Sequence, residues 1–236
     1  DQGVRVLDLH DGTPSSGVVV HISAPSSDRF RRGSDAIRLA LERSPQAEAL
    51  AALELAFSTP PHMARRPRIL ISDVPAHVVQ RGNNRTAVFV DDADRAHYRL
   101  LLAEGCLKHR CTVHAYVFMT NHVHLLLTPA DAHGVSRLMQ WMGRHYVRRF
   151  NRRSERTGTL WEGRFHSSVI ESARYFLTCC RYIDQNPVRA GMAPTPAAYR
   201  WSSHARLAYG RPDPLVREHA EYVALDTTPR ARQAAY

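Results

Sequence analysis

The sequence predicts an α+β protein of the ferredoxin-like, split βαβ type, with an antiparallel sheet, helices on one face and a further C-terminal helix. Three observations support this. Short β-rich runs alternate with helical stretches in the order strand, helix, strand, strand, helix, strand, helix. The second helical stretch has a regular apolar stripe at three- and four-residue steps. The two central β-runs are separated only by Thr120-Asn121, which fits a hairpin.

Residues 76–81 form the first strand candidate, ended by the turn-like Gly82-Asn83-Asn84. Asp91-Asp92 opens a helix whose buried stripe is Tyr98, Leu101, Leu102 and Cys106. Residues 111–119 and 122–128 are the two strands of the hairpin. A second helix covers about 134–151, with Val135, Leu138, Met139, Met142, Tyr146 and Phe150 on its core side. Residues 164–170 fit another strand. A third helix fits 172–186 and should end near Pro187, because a proline disfavours helix at the residue before it. Residues 187–236 read as mostly loop, with a short helix at about 202–209.

Residues 1–62 differ from the rest. They are rich in Ala, Ser and Pro and hold two short helix-like stretches, at 35–43 and 46–57. Met63 then opens a basic stretch that resembles a natural protein start. The expected organisation is an accessory extension over 1–62 (or an upstream extension of the reading frame), a functional domain over 63–210 and a tail over 211–236.

The chain of 236 residues carries a formal net charge of +10, nearly all of it arginine. Such a surface favours polyanions, although a GC-rich genome produces the same composition. No apolar run is long enough to cross a membrane and no secretory leader is evident. Cys106, Cys111, Cys179 and Cys180 form no Cys-x-x-Cys pair, so reduced thiols and a cytoplasmic setting are expected.

His122 and His124 flank Val123 at the start of the run Leu125-Leu126-Leu127. On a strand both imidazoles point to one face, roughly 6–7 Å apart at Cα, a spacing at which they can converge on a cation. The alternative is two exposed histidines on a sheet face. Tyr182 and Asn186 lie four residues apart, hence on one helix face. They are either a nucleophile and a third ligand, or a packed tyrosine and a helix-end cap. Taken together, the two pairs point to metal-assisted, covalent cleavage of a phosphodiester. Tyr146 is a competing nucleophile, but it falls on the core stripe. Arg137, Arg144, Arg148 and Arg152 line the side of the second helix opposite its apolar stripe, with Arg149 and Arg153 nearby, and could track a phosphate backbone. Arg81, Asn83, Asn84 and Arg85 leave the first strand at its turn, and Arg and Asn side chains can read base edges. For Trp161 and Phe165, anchoring in the core is preferred over lining a site.

Four stretches carry a family resemblance: Val78-Val79-Gln80-Arg81-Gly82-Asn83-Asn84-Arg85, Met119-Thr120-Asn121-His122-Val123-His124-Leu125-Leu126, Gly158-Thr159-Leu160-Trp161-Glu162-Gly163-Arg164-Phe165, and Arg181-Tyr182-Ile183-Asp184-Gln185-Asn186-Pro187-Val188-Arg189-Ala190-Gly191. Over residues 63–209 the chain resembles the REP-associated tyrosine transposases of the HUH superfamily. The resemblance implies that His122 and His124 bind Mg²⁺ or Mn²⁺, that Tyr182 is the nucleophile and that Asn186 is a third, polar ligand. It implies cleavage and rejoining of single-stranded DNA through a 5′-phosphotyrosine, at sites flanking palindromic hairpins. The oligomeric state stays open between a monomer and a homodimer. Two other readings are a DNA-binding regulator of the same fold without catalysis, and a zinc hydrolase recruiting Cys179 or Cys180.

Overall fold

A computed structural model describes residues 68–170 and 172–236. The chain divides into two units, Asp1–Thr59 and Pro60–Tyr236, and the described residues all belong to the second. The helix-like stretches expected within 1–62 lie outside the described residues.

Strands β1 (Ala76–Arg81), β2 (Cys111–Phe118), β3 (His122–Pro129) and β4 (His166–Val169) form one sheet in the order β2-β3-β1-β4. Every pairing is antiparallel. With helices α1 (Asp92–His109) and α2 (Gly134–Arg153) between the strands, this is the expected split βαβ arrangement. Asp91 caps α1 by accepting the Asp94 N–H at 3.0 Å, and Arg153 at the end of α2 pairs with Asp91 and Asp94. The paired strands bring β1 and β3 into a register that sets Val79 opposite His124 and Arg81 opposite His122.

The pleat separates two faces. Phe118 and Val123 lie on one, under α1 and α2. There Tyr98, Phe118, Phe89 and Tyr146 pack as an aromatic cluster, with Tyr98 and Tyr146 rings crossing edge to face at 4.9 Å. Tyr146 is buried, and its hydroxyl donates to the Val88 carbonyl at 2.6 Å. It is a core residue, as its stripe position implied. Trp161 and Phe165 are buried as well.

The opposite face is covered by helix α3 (Ala173–Arg189), capped by Ser172, whose side chain accepts the Tyr175 N–H. Helices therefore lie on both faces, with α1 and α2 on one and the tyrosine-bearing helix on the other. The apolar stripe Phe176, Cys179, Cys180 and Ile183 is buried. Phe176 meets His114 at a β-bulge of β2, ring centroids 5.5 Å apart.

Two expectations are corrected. Helix α3 does not stop before Pro187 but continues to Arg189. In the last turn a proline removes a single hydrogen bond, and the end is secured by Ala190 N–H to the Asn186 carbonyl, Gly191 N–H to Val188 and Met192 N–H to Pro187. The region after Pro187 is mostly irregular, as expected, with the short helix near 202–209 found as α4 (His204–Tyr209) and two more at α5 (Ala220–Val223) and α6 (Pro229–Ala235); it covers the outer edge of β2 through bridges at Ser202 and Val216. An edge strand exposes unpaired backbone groups, and this segment satisfies them. Strand β4 is shorter than the 164–170 expected.

Candidate active site

His122 and His124 project from β3 toward α3. His124 is buried, at 5% exposure, whereas Tyr182 on α3 is 39% exposed. The Tyr182 ring stands edge-on to His124 at 5.8 Å between centroids. The two histidine rings are 4.9 Å apart. Three residues singled out from sequence thus meet at one place. The fourth, Asn186, follows one turn after Tyr182 and its Nδ2 donates to the Tyr182 carbonyl at 2.7 Å.

The structure adds a residue that sequence reading passed over. His77 on β1 lies on the same face, diagonal to His124 across the strand pair. Its ring lies nearly parallel to that of His124, at 14° with centres 5.1 Å apart, and meets Tyr182 edge-on at 5.9 Å. The only signal in the sequence was the alternation His77-Val78-Val79, which places His77 in phase with Arg81 but says nothing of which strand lies beside it. A second addition is Arg189, whose guanidinium sits 5.1 Å from the Tyr182 ring centre.

All three imidazoles are held neutral. Burial lowers His77 to about 4 and His124 to about 3, with the neighbouring His77, His122 and Arg81 charges adding to the effect on His124. Burial, with Arg81 behind it, also lowers His122. A neutral imidazole has a lone pair to offer a cation. His122 Nδ1–H donates to the Asn121 Oδ1 at 2.6 Å, which leaves Nε2 as its free donor atom. The pair therefore suits two positions around a divalent ion. Among the described residues no group of three or more His, Cys, Asp and Glu is arranged to hold a metal ion. The cysteine-assisted zinc reading does not fit. Cys179 and Cys180 are buried in the apolar stripe of α3, and burial pushes both thiols up, Cys179 to about 12.

The back of α3 is anchored. Asp184, two residues beyond Tyr182 and 2% exposed, accepts hydrogen bonds from Ser203 Oγ at 2.9 Å and Tyr236 Oη at 2.9 Å, and faces His204 Nδ1 at 3.3 Å. Arg181 donates to the carbonyls of Ala235 and Tyr236.

The candidate DNA-contacting residues divide into two groups. Arg81, Asn83, Asn84 and Arg85 occupy the turn at the His122 end of β1, where Asn121 Nδ2 donates to the Arg85 carbonyl at 3.1 Å. Arg144, Arg148 and Arg152, with His145 and Arg149, line an open concavity of about 540 Å³ on α2. Arg137 is not part of it and pairs with Asp131 at 2.6 Å. Since α2 lies on the aromatic-cluster face, this basic row is on the other side of the sheet from Tyr182.

Residues 71–186 match the family model described as transposase IS200-like. This stretch is an IS200-like transposase domain. A solved structure of a REP-associated tyrosine transposase bound to a REP hairpin shares the fold, with a TM-score of 0.51, 19% identity, and coverage of 66% of this chain and 93% of that one. A candidate transposase from Deinococcus radiodurans R1 aligns with a TM-score of 0.37 and 20% identity over 52% of this chain and 97% of that one. No curated protein sequence matches the chain. The transposase domain thus spans β1 to the Tyr182 helix and contains every residue of the histidine–tyrosine cluster. No described helix is long and apolar enough to cross a membrane.

Proposed function

We propose that this transposase domain cleaves and rejoins single-stranded DNA through Tyr182, next to hairpins of palindromic repeats. The observation that carries the reading is the approach of the Tyr182 ring to the His122–His124 pair from a different element of the chain. His122 and His124, with Asn186, are the residues that would hold Mg²⁺ or Mn²⁺. When bound, the ion supplies Lewis-acid polarisation of the scissile phosphate.

The chain's own groups do the rest. Tyr182 Oη attacks phosphorus, forming a phosphotyrosine as the bond from phosphorus to the 3′-oxygen breaks. The phenol proton leaves to solvent, and the departing oxygen takes one up to become a 3′-hydroxyl. The phosphoester energy is retained, so attack by a 3′-hydroxyl in the reverse sense reseals a strand without ATP. Arg189, beside the ring, adds positive charge where the phosphate must sit. The turn carrying Arg81, Asn83, Asn84 and Arg85 adjoins this site and contacts bases near the cut. The row Arg144, Arg148 and Arg152 grips phosphates of the hairpin on the far side of the sheet.

The test is incubation with Mn²⁺ and a 5′-flanked, labelled hairpin oligonucleotide, followed by denaturing electrophoresis. A covalent protein–DNA band that disappears in Tyr182→Phe is expected. A band that persists in that variant assigns the nucleophile elsewhere.

A further inference from the structure

Two ring nitrogens, His77 Nε2 and His124 Nδ1, lie 2.9 Å apart, the distance of a hydrogen bond in which one ring donates and the other accepts. Only one proton can occupy that contact. If it sits on His124 Nδ1, His124 keeps a lone pair on Nε2. If it sits on His77, His124 carries its proton on Nε2 and has no lone pair facing outward.

We propose that His77 is the positioning residue of His124: its Nε2 accepts the His124 Nδ1–H and fixes the tautomer that turns a free Nε2 toward a divalent cation. This rests on the metal-site reading of the preceding section. The geometry is the counterpart of His122, whose Nδ1–H is taken by Asn121 Oδ1 at 2.6 Å. Each histidine of the pair then has its Nδ1 bound by a neighbour, an arrangement that fixes ring orientation and raises ligand basicity. Two further observations support the assignment. The two rings lie edge to edge with their planes within 14° of each other, which suits an in-plane N–H···N bond, and His124 is too buried for water to substitute as acceptor. His77 also touches Tyr182 edge-on, so one side chain orients the ligand and borders the nucleophile. Its own proton is then on Nδ1, away from the contact.

Two variants separate acceptor from packing. His77→Phe keeps a ring at this position but has no acceptor. His77→Gln loses the ring but keeps an amide oxygen within reach. Mn²⁺ affinity of the DNA-free protein, read from the free-ion electron paramagnetic resonance signal, should fall 10–100-fold in His77→Phe and stay within a few-fold of the parent in His77→Gln. Equal affinities in the two variants, or the reverse order, overturn the proposal. A second readout needs no metal: long-range ¹H–¹⁵N spectra of the apo protein should show His124 as the Nδ1–H tautomer, and an Nε2–H tautomer overturns it. Failure of the underlying site reading looks different. In that case His124→Ala binds Mn²⁺ as tightly as the parent.

Discussion

At the scale of single residues, the domain stores neutral histidines. His77, His114 and His124 are lowered to about 4, about 4 and about 3 by burial, against an ordinary value of 6.5. Unfolded, each takes up a proton below about 6.5, while the folded state refuses it. The stability they contribute is therefore fully present above pH 6.5 and is lost as pH falls through 4 to 3. Urea midpoints should decline steadily from pH 7 to pH 4.5, and a flat profile would contradict the neutral assignment. His122, His124 and Tyr182 were legible as residue types at strand and helix spacing. His77 was not, because its partner lies 47 positions away and only the β1–β3 register brings them together.

At the scale of elements, the tyrosine helix is held from behind. Asp184 lies about 200° around the helix from Tyr182, so what fixes Asp184 fixes the direction in which the phenol points. Removing the Tyr236 hydroxyl in Tyr236→Phe takes one hydrogen bond from a buried carboxyl group and should cost about 1.5–3 kcal/mol of unfolding free energy, measurable by urea denaturation. A change within error would mean that the contact carries no net stability. The turn after β1 is equally constrained. A Cβ on Gly82 would lie 2.3 Å from the Thr86 carbonyl oxygen and 2.7 Å from Val88 Cγ1. Backbone cannot yield as a side-chain tip does, so Gly82→Ala should destabilise by about 1–3 kcal/mol, checked by its thermal midpoint.

Periodicity located the elements well, since alternation and apolar stripes are local: β1 was placed at 76–81, and the start of α2 at Gly134. What local pattern could not supply was tertiary compensation. Pro187 signalled a helix end because the rule for proline considers the chain alone, whereas the turns that follow satisfy the freed groups. Likewise the segment after Pro187 lacks a strong period, and its order comes from pairing with the β2 edge and from the polar contacts to Asp184.

At the scale of the whole domain, charge and chemistry are segregated. The net charge of +10 is expressed in part as the open arginine row of α2, while the histidine–tyrosine cluster is on the opposite face. Sequence showed that both sets existed but not that a sheet separates them, since the side on which a helix packs is a property of topology. Arg148→Ala should weaken binding of every hairpin oligonucleotide alike and reduce the slope of log affinity against log salt by about 1. An unchanged slope removes Arg148 from the phosphate contacts. Arg137→Ala, already neutralised by Asp131, should change that slope less.

The sheet therefore works as a partition with a rim. Along β2 that rim is closed by the bridges at Ser202 and Val216, whereas the turn with Arg81, Asn83, Asn84 and Arg85 stands at the end of β1, beside His122. Under the proposed function, a nucleic acid held on one side and severed on the other has to round this corner, and a rigid wall allows little slack. The protein becomes a ruler: in a series of oligonucleotides with lengthening spacers between stem and scission point, cleavage should peak sharply at one length, and lengthening the turn by a residue should displace the peak.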